Sequence, residues 1–413
     1  MQLYGGVRKH EGGLSVHIQS DRLAGLGSAI FAEVAEWKRE AIANGLDIID
    51  LGIGSPDLPP SERIRMALQE AVAKEEMYGY ASSEGTVTFR RAVAEWYQFR
   101  FGVNLNPETE ILSLIGSQDG LAHLPLAVTN PGDMVLIPDP GYPIYAAAPV
   151  LAGALPYPVR LTEENGFLPR FADIPIEVAR KAKYMLFNYP SNPSSAVAEL
   201  SFFEEAVHYA KKHEILLVHD LAYSEMAYDG FRPPSVLEIP GAKDIAVEYH
   251  SLSKSFNMAG CRLAYMVGNP KVVEALRLLK SNIDYGVFHA VQEAGIVALE
   301  DHMGGKQSVA KLYEQRRDVF VEAMRSYGWD LPKPRATMFI WARIPSGWTS
   351  RQISREMLRA AGVVVIPGDA FGQAGEGYVR MALVHDDAKL TEAAARIGRW
   401  FPANKHNGTN NLI

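Results

Sequence analysis

Cysteine is almost missing: Cys261 is the only one in 413 residues. A single thiol excludes an intramolecular disulfide and any multi-cysteine metal site, and it fits a reducing compartment. Long apolar runs are missing as well. No stretch reaches the roughly 18 uncharged apolar residues that a membrane span requires, and the opening MQLYGGVRKHEGG has no apolar signal core. Nor is there an excess of positive charge. Lys and Arg number 41 against 48 Asp and Glu, for a net charge of −7, and no basic stripe points to nucleic acid. Internal repeats at solenoid or propeller periods are also lacking. The expectation is a soluble, cytoplasmic protein with neither nucleic acid nor membrane as a partner.

What the chain does contain is enough for more than one core. At 413 residues and 47% hydrophobic, it exceeds the size at which single cores usually stop growing. Between residues 110 and 270, short apolar runs alternate with helical patterns. The runs are Met134–Ile137, Tyr184–Phe187, Ile215–Val218 and Leu263–Val267. They lack polar alternation, as strands covered on both faces do. Between the second and third runs, Ser201 and Glu204 have the spacing of a capping box, and Lys211, Lys212 and His213 fall in the last turn, where cations suit the helix dipole. This pattern predicts an α/β domain with a mostly parallel sheet flanked by helices. From about residue 300 the pattern changes to a long helix (309–327), the strand MFIWARI, another helix and the run Val363–Ile366, which reads as a smaller α+β domain. The expected divisions are an N-terminal arm at 1–53 contributing to the small domain, a large domain at 54–295, the small domain at 296–401 and a loose tail at 402–413.

In open α/β sheets, ligands sit beyond the carboxyl ends of the strands, so the residues after each run carry the chemistry. After YMLF comes Asn188-Tyr189-Pro190-Ser191-Asn192-Pro193. After ILLV come His219, Asp220 and Tyr223. After AVEY comes His250-Ser251-Leu252-Ser253-Lys254-Ser255. After Ile111-Leu112 comes the turn Gly116-Ser117-Gln118-Asp119-Gly120. A carboxylate ending a buried strand is expensive unless paired. An arginine among apolar residues, as Arg380 is in YVRMAL, carries the same demand.

The segment SLSKSFNMAGCR resembles the lysine motif of the class I and II pyridoxal-phosphate-dependent aminotransferases of fold type I. NYPSNP, HDLAYSE, DPGYPIY and YVRMAL resemble four further motifs of that family, in its order, and together they span roughly residues 50–385. The resemblance implies pyridoxal 5'-phosphate as cofactor, with its aldehyde joined to Lys254. It implies Asp220 as the partner of the ring nitrogen, and Asn192 and Tyr223 as hydrogen-bonding partners of the 3' oxygen. It assigns the phosphate to Ser117, Gln118, Ser251, Ser253 and Arg262, and ring stacking to Tyr142. Arg380, with Gly54 and Asn192, would bind the substrate, Arg380 by a planar fork that suits a carboxylate. Tyr80 would reach the cofactor phosphate of a neighbouring subunit in a homodimer. Lys254, Asp220 and Tyr223 are the implied catalytic set, acting in ping-pong transfer of an amino group to a 2-oxo acid.

Within the family, PSVLEIPGAKDIAVEYHSLSK is similar to the LL-diaminopimelate aminotransferases. Four positions depart from that group. Gln118 stands for a lysine, Gly27-Ser28-Ala29-Ile30 for an arm tyrosine, His289 for an asparagine of the plant-type enzymes, and Asn192-Pro193-Ser194-Ser195 for the common Asn-Pro-Thr-Gly. Donors such as alanine, glutamate, methionine or aromatic amino acids therefore stay open. So do a pyridoxal-phosphate-dependent carbon–sulfur β-lyase, which would share the clamp, and a non-enzymatic ligand sensor built on the same fold.

Overall fold

The apolar runs become strands, and their alternating side chains feed two cores at once. The computed structural model describes residues 20–24, 26, 29–305 and 309–404. In chain order the strands are β1 (Ile49–Asp50), β2 (Ile111–Leu114), β3 (Met134–Asp139), β4 (Leu155–Arg160), β5 (Ala182–Asn188) and β6 (Leu216–Asp220). They continue with β7 (Ala246–Ser251), β8 (Ala264–Gly268), β9 (Phe339–Arg343), β10 (Val363–Val364), β11 (Ile366–Pro367) and β12 (Tyr378–Ala382). Seven form one sheet in the order β2-β8-β7-β6-β5-β3-β4. Only β8 runs against its neighbours, β2 and β7; the other pairings are parallel.

Successive residues of a strand face opposite sides. Met185, Phe187 and Leu217 enter a core on one face, with Trp96, Phe203 and Leu299 from the helices Val87–Phe101, Leu200–His213 and His289–Met303. Tyr184, Leu186 and Val218 enter the core on the other face, with Leu121, Leu124 and Leu276 from the helices Ser117–Val128 and Pro270–Ile283. Because both faces are covered, the runs could not show polar alternation.

The capping box expected at Ser201 and Glu204 does not form. The helix begins at Leu200, its cap position is Glu199, and no side chain caps it. Glu199 is instead engaged by Arg335, 2.9 Å away, and the fully buried Phe203 sets the helix phase from the core. Lys211, Lys212 and His213 do occupy the last turn.

The C-terminal part folds around a separate core, in which the antiparallel sheet β11-β12-β9 packs against the helices Ala310–Ser326 and Asp387–Asn404. β1 joins it by pairing in parallel with β10. Ile49 and Leu51 are buried there, each contributing about 1.5–3 kcal/mol relative to exposure. That gain offsets the roughly 1–2 kcal/mol per residue needed to order the backbone. The final helix carries through Asn404, two residues past the Pro402 at which a loose tail was expected. Residues 405–413 lie outside the described residues, as do Gly27 and Ser28 of the arm and the opening MQLYGGVRKHEGG. No helix among the described residues is long and apolar enough to cross a membrane.

Candidate active site

The strands β2, β3, β5, β6 and β7 end at one edge of the large sheet, and the small domain lies against that edge. Between them is a cavity of about 810 Å³, within the range of small-molecule sites. Gly54, Ser117, Gln118, Tyr142, Asn192, Asp220, Tyr223, Ser251, Ser253, Lys254, Arg262 and Arg380 all line it. Tyr80 does not. It is 89% exposed on the outer surface and stacks on Tyr285 at 5.0 Å.

Register explains the cavity floor. Asn188 ends β5 directly beside Asp220, which ends β6. The Asn188 side-chain amide donates to the Asp220 backbone carbonyl at 2.8 Å, and its oxygen accepts from the Asn192 amide at 2.7 Å. The Asp220 carboxylate is buried and met by neutral donors, the Tyr145 hydroxyl at 2.7 Å and the Ala222 amide at 3.2 Å. Burial raises its carboxyl above the usual range, opposed by those two hydrogen bonds. A cationic N–H is the partner that would offset such burial.

β7 runs straight into a single helical turn, Leu252–Ser255, capped by the Ser251 hydroxyl, which accepts from the Ser253 amide at 3.2 Å. That turn carries Lys254 into the cavity, where its amine donates to the Gly54 carbonyl. Burial, and then the charges of Arg380 and Arg262, bring this amine down from 10.5 to about 8. Near neutral pH a usable fraction is uncharged and nucleophilic. The pH dependence has a definite sign. Reductive alkylation of Lys254 by an aldehyde, read by peptide mass, should rise with pH and reach its half-maximum near 8. A midpoint near the ordinary 10.5 would contradict the environment described.

One end of the cavity is an anion cup. Gly116, at φ +80°, opens the helix Ser117–Val128 without a side-chain cap. The Arg262 guanidinium lies over it, so that a Cβ at Gly116 would stand 2.0 Å from a guanidinium nitrogen. Only glycine admits both the backbone and the close approach. The uncapped helix start offers backbone N–H groups. The Ser253 hydroxyl is buried nearby without a partner.

The opposite wall holds Arg380, in the middle of β12 between Ile366 and Trp341. Its guanidinium donates to the Asn192 side-chain oxygen at 2.9 Å and to the Gly52 carbonyl at 2.8 Å, while its Nε has no partner. The Phe339 and Phe371 rings lie 4.3 and 4.8 Å from its centre. Burial pushes the group down to about 10, so it keeps its charge at neutral pH. Its protein hydrogen bonds go to neutral oxygens. Gly54 gives this wall its closeness, since a Cβ there would meet the Phe339 ring at 2.9 Å.

Residues 46–397 match the family described as aminotransferase class I and II. The chain belongs to that family. It is therefore a pyridoxal-5'-phosphate-dependent aminotransferase. An LL-diaminopimelate aminotransferase of Desulforudis audaxviator is 47% identical to it over 380 residues, covering 92% of this chain and 97% of its own. The substrate-bound structure of BacF from Bacillus subtilis superimposes with a TM-score of 0.89 at 38% identity, over 93% of this chain and 98% of that one. A probable N-succinyldiaminopimelate aminotransferase from Thermus thermophilus does so with 0.85 at 41% identity, over 90% and 99%.

Three side chains of this aminotransferase site were not singled out from the sequence. Tyr145 stands one helical turn after Tyr142, the spacing that puts both on one face. Asn188 opens the NYPSNP motif and ends a buried strand. Phe339 had no signal beyond its place in an apolar strand.

Proposed function

We propose that this aminotransferase takes LL-diaminopimelate or a closely similar diamino acid as its donor, with a 2-oxo acid as acceptor. Extended likeness carries the substrate reading: relatives named LL-diaminopimelate aminotransferases match at 43–47% identity over nearly their whole length. Against it stands Gln118, a neutral side chain whose oxygen accepts from Tyr142 at 2.9 Å, where that group carries a lysine. A donor without a charged distal end, such as an aromatic amino acid, is the second reading this observation favours.

The residue roles are part of the same proposal. Pyridoxal 5'-phosphate, when bound, supplies an electron-accepting ring that makes the Cα proton of an amino acid acidic. Three features of the cavity fit it: a buried carboxylate whose donors are neutral, a buried hydroxyl without a partner in an anion cup, and an amine lowered toward neutrality. Asp220 would hold the proton of the ring nitrogen. Arg262, Ser251, Ser253, Ser117, Gln118 and the helix start would hold the phosphate. Tyr142 would pack on the ring, with Asn192 and Tyr223 bonding its 3' oxygen. Arg380 would bind the substrate carboxylate, and Gly54 lets the substrate approach. Lys254 would take and return the Cα proton. Two further elements of the reading are a cytoplasmic location and a homodimer in which Tyr80 serves the neighbouring site. The exposed aromatic patch of Tyr78, Tyr80 and Tyr285 supports the dimer.

Mixing the holoenzyme with one amino acid at a time tests the substrate. LL-diaminopimelate and the amino acid regenerated by its acceptor should each bleach the visible absorbance as the amino group is taken up. Bleaching by an aromatic amino acid but not by diaminopimelate would overturn the assignment in favour of the second reading. Pyruvate and ammonia released from cystathionine without any 2-oxo acid would indicate lyase side-activity instead. Sedimentation at twice the chain mass is expected of the dimer, and a monomeric, active holoenzyme would contradict it.

A further inference from the structure

Two buried residues near Arg380 hold backbone conformations that side chains disfavour. Ser195 sits at φ +57° and Thr337 at φ +71°, and both are buried. A β-branched residue in the left-handed region is a marked exception and persists only where its surroundings over-determine it. The surroundings here are each other. Their hydroxyls are 2.7 Å apart, the Ser195 hydroxyl lies 2.8 Å from the Phe339 carbonyl, and Thr337 Oγ1 accepts from the Phe339 amide at 3.2 Å.

Each hydroxyl anchors a different side of the guanidinium. Ser195 closes the tight turn that presents Asn192, through its amide to the Ser191 carbonyl at 3.0 Å. Thr337 leads into the strand that presents Phe339. Asn192 accepts from Arg380, and Phe339 lies against its face. Joining the two hydroxyls therefore fixes the two groups that bracket Arg380 relative to each other. We propose that Ser195 and Thr337 are positioning residues, a hydroxyl clasp between the large and small domains that sets where the Arg380 fork meets the substrate carboxylate. The clasp rests on the reading of Arg380 as the carboxylate clamp. It matters because a misplacement of about 1 Å in such a fork is enough to lower turnover about 100-fold.

Ser195→Gly is the informative variant. Glycine adopts the left-handed backbone freely, so the hydroxyl is lost without adding strain. Expected are a KM for the amino donor raised about fivefold to tenfold, as for one lost hydrogen bond, and a cofactor Kd changed less than about twofold. Affinity for pimelate, an unreactive diacid titrated calorimetrically into the holoenzyme, should fall by the same factor as KM rises. The thermal midpoint should stay level or rise. Thr337→Val should raise KM likewise, whereas Thr337→Ser, which keeps the hydroxyl, should restore it. Wild-type KM and pimelate affinity in Ser195→Gly would overturn the clasp, as would equal losses of cofactor and substrate binding. Arg380→Ala separates the two ideas. If it abolishes pimelate binding while Ser195→Gly does not weaken it, only the clasp fails; if Arg380→Ala leaves pimelate binding intact, both fail.

Discussion

The Lys254→Ala protein should lack the visible band of a lysine-linked cofactor even with cofactor added, and should turn over at least about 10,000-fold more slowly than the wild type. The expectation comes from where the side chain sits. A single helical turn at the end of β7 carries the amine into the cavity between Asp220 and Arg380, and the only hydrogen bond it makes among the described residues is to the Gly54 carbonyl. Alanine removes both the group that would join the cofactor and the base that would move the Cα proton. The fold should be unharmed. The amine belongs to no core cluster, and Ser251 still caps the turn. Visible spectra and steady-state rates check this together. An active variant that keeps the wild-type band would contradict the role, and unchanged cofactor affinity without that band would locate the loss in the covalent link.

Arg380→Ala should lower kcat/KM for the amino donor roughly 100- to 1,000-fold, the size of losing one buried, charge-assisted contact, while cofactor affinity changes less than about tenfold. The guanidinium is buried between two aromatic rings and bonds only neutral oxygens. A charge so placed is costly unless an anion completes it. A substrate carboxylate would supply two parallel hydrogen bonds. Some effect on the cofactor is expected, because Asn192 loses the donor that orients its amide. Proportional losses of cofactor and donor binding would place Arg380 among the structural supports instead.

Most of this site was legible in the chain because of how α/β sheets are built. Buried parallel strands read as plain apolar runs, and ligands lie past their carboxyl ends, so the residues after each run were the ones to weigh. Lys254, Asp220 and Asn192 each follow such a run, Arg262 comes just before the antiparallel β8, and all four line one cavity. What stayed hidden was set by packing. Tyr145 reaches Asp220 only because the helix Ile144–Ala152 packs on β3, β4 and the helix Ser117–Val128, and no local pattern encodes that placement. Phe339 matters through a ring face presented to Arg380 across two strands. The Ser201–Glu204 spacing was a true local signal that the fold did not use: the helix is capped at Glu199, two residues earlier, with Phe203 buried on its inner face. At 194 and 195, two serines in place of a threonine and a glycine read only as a departure. The left-handed backbone and the bond to Thr337 turn that departure into a contact between the two domains.

Behind all of these expectations is one claim, that the amine of residue 254 and the carboxylate of residue 220 serve the same bound cofactor. Borohydride reduction of the holoenzyme, followed by peptide mass analysis, tests it most directly. The reduced cofactor should be found on the peptide SLSKSFNMAGCR at Lys254, and an Asp220→Ala protein should bind it much more weakly while still labelling there. Label on another lysine, or none with the enzyme fully active, would contradict the account.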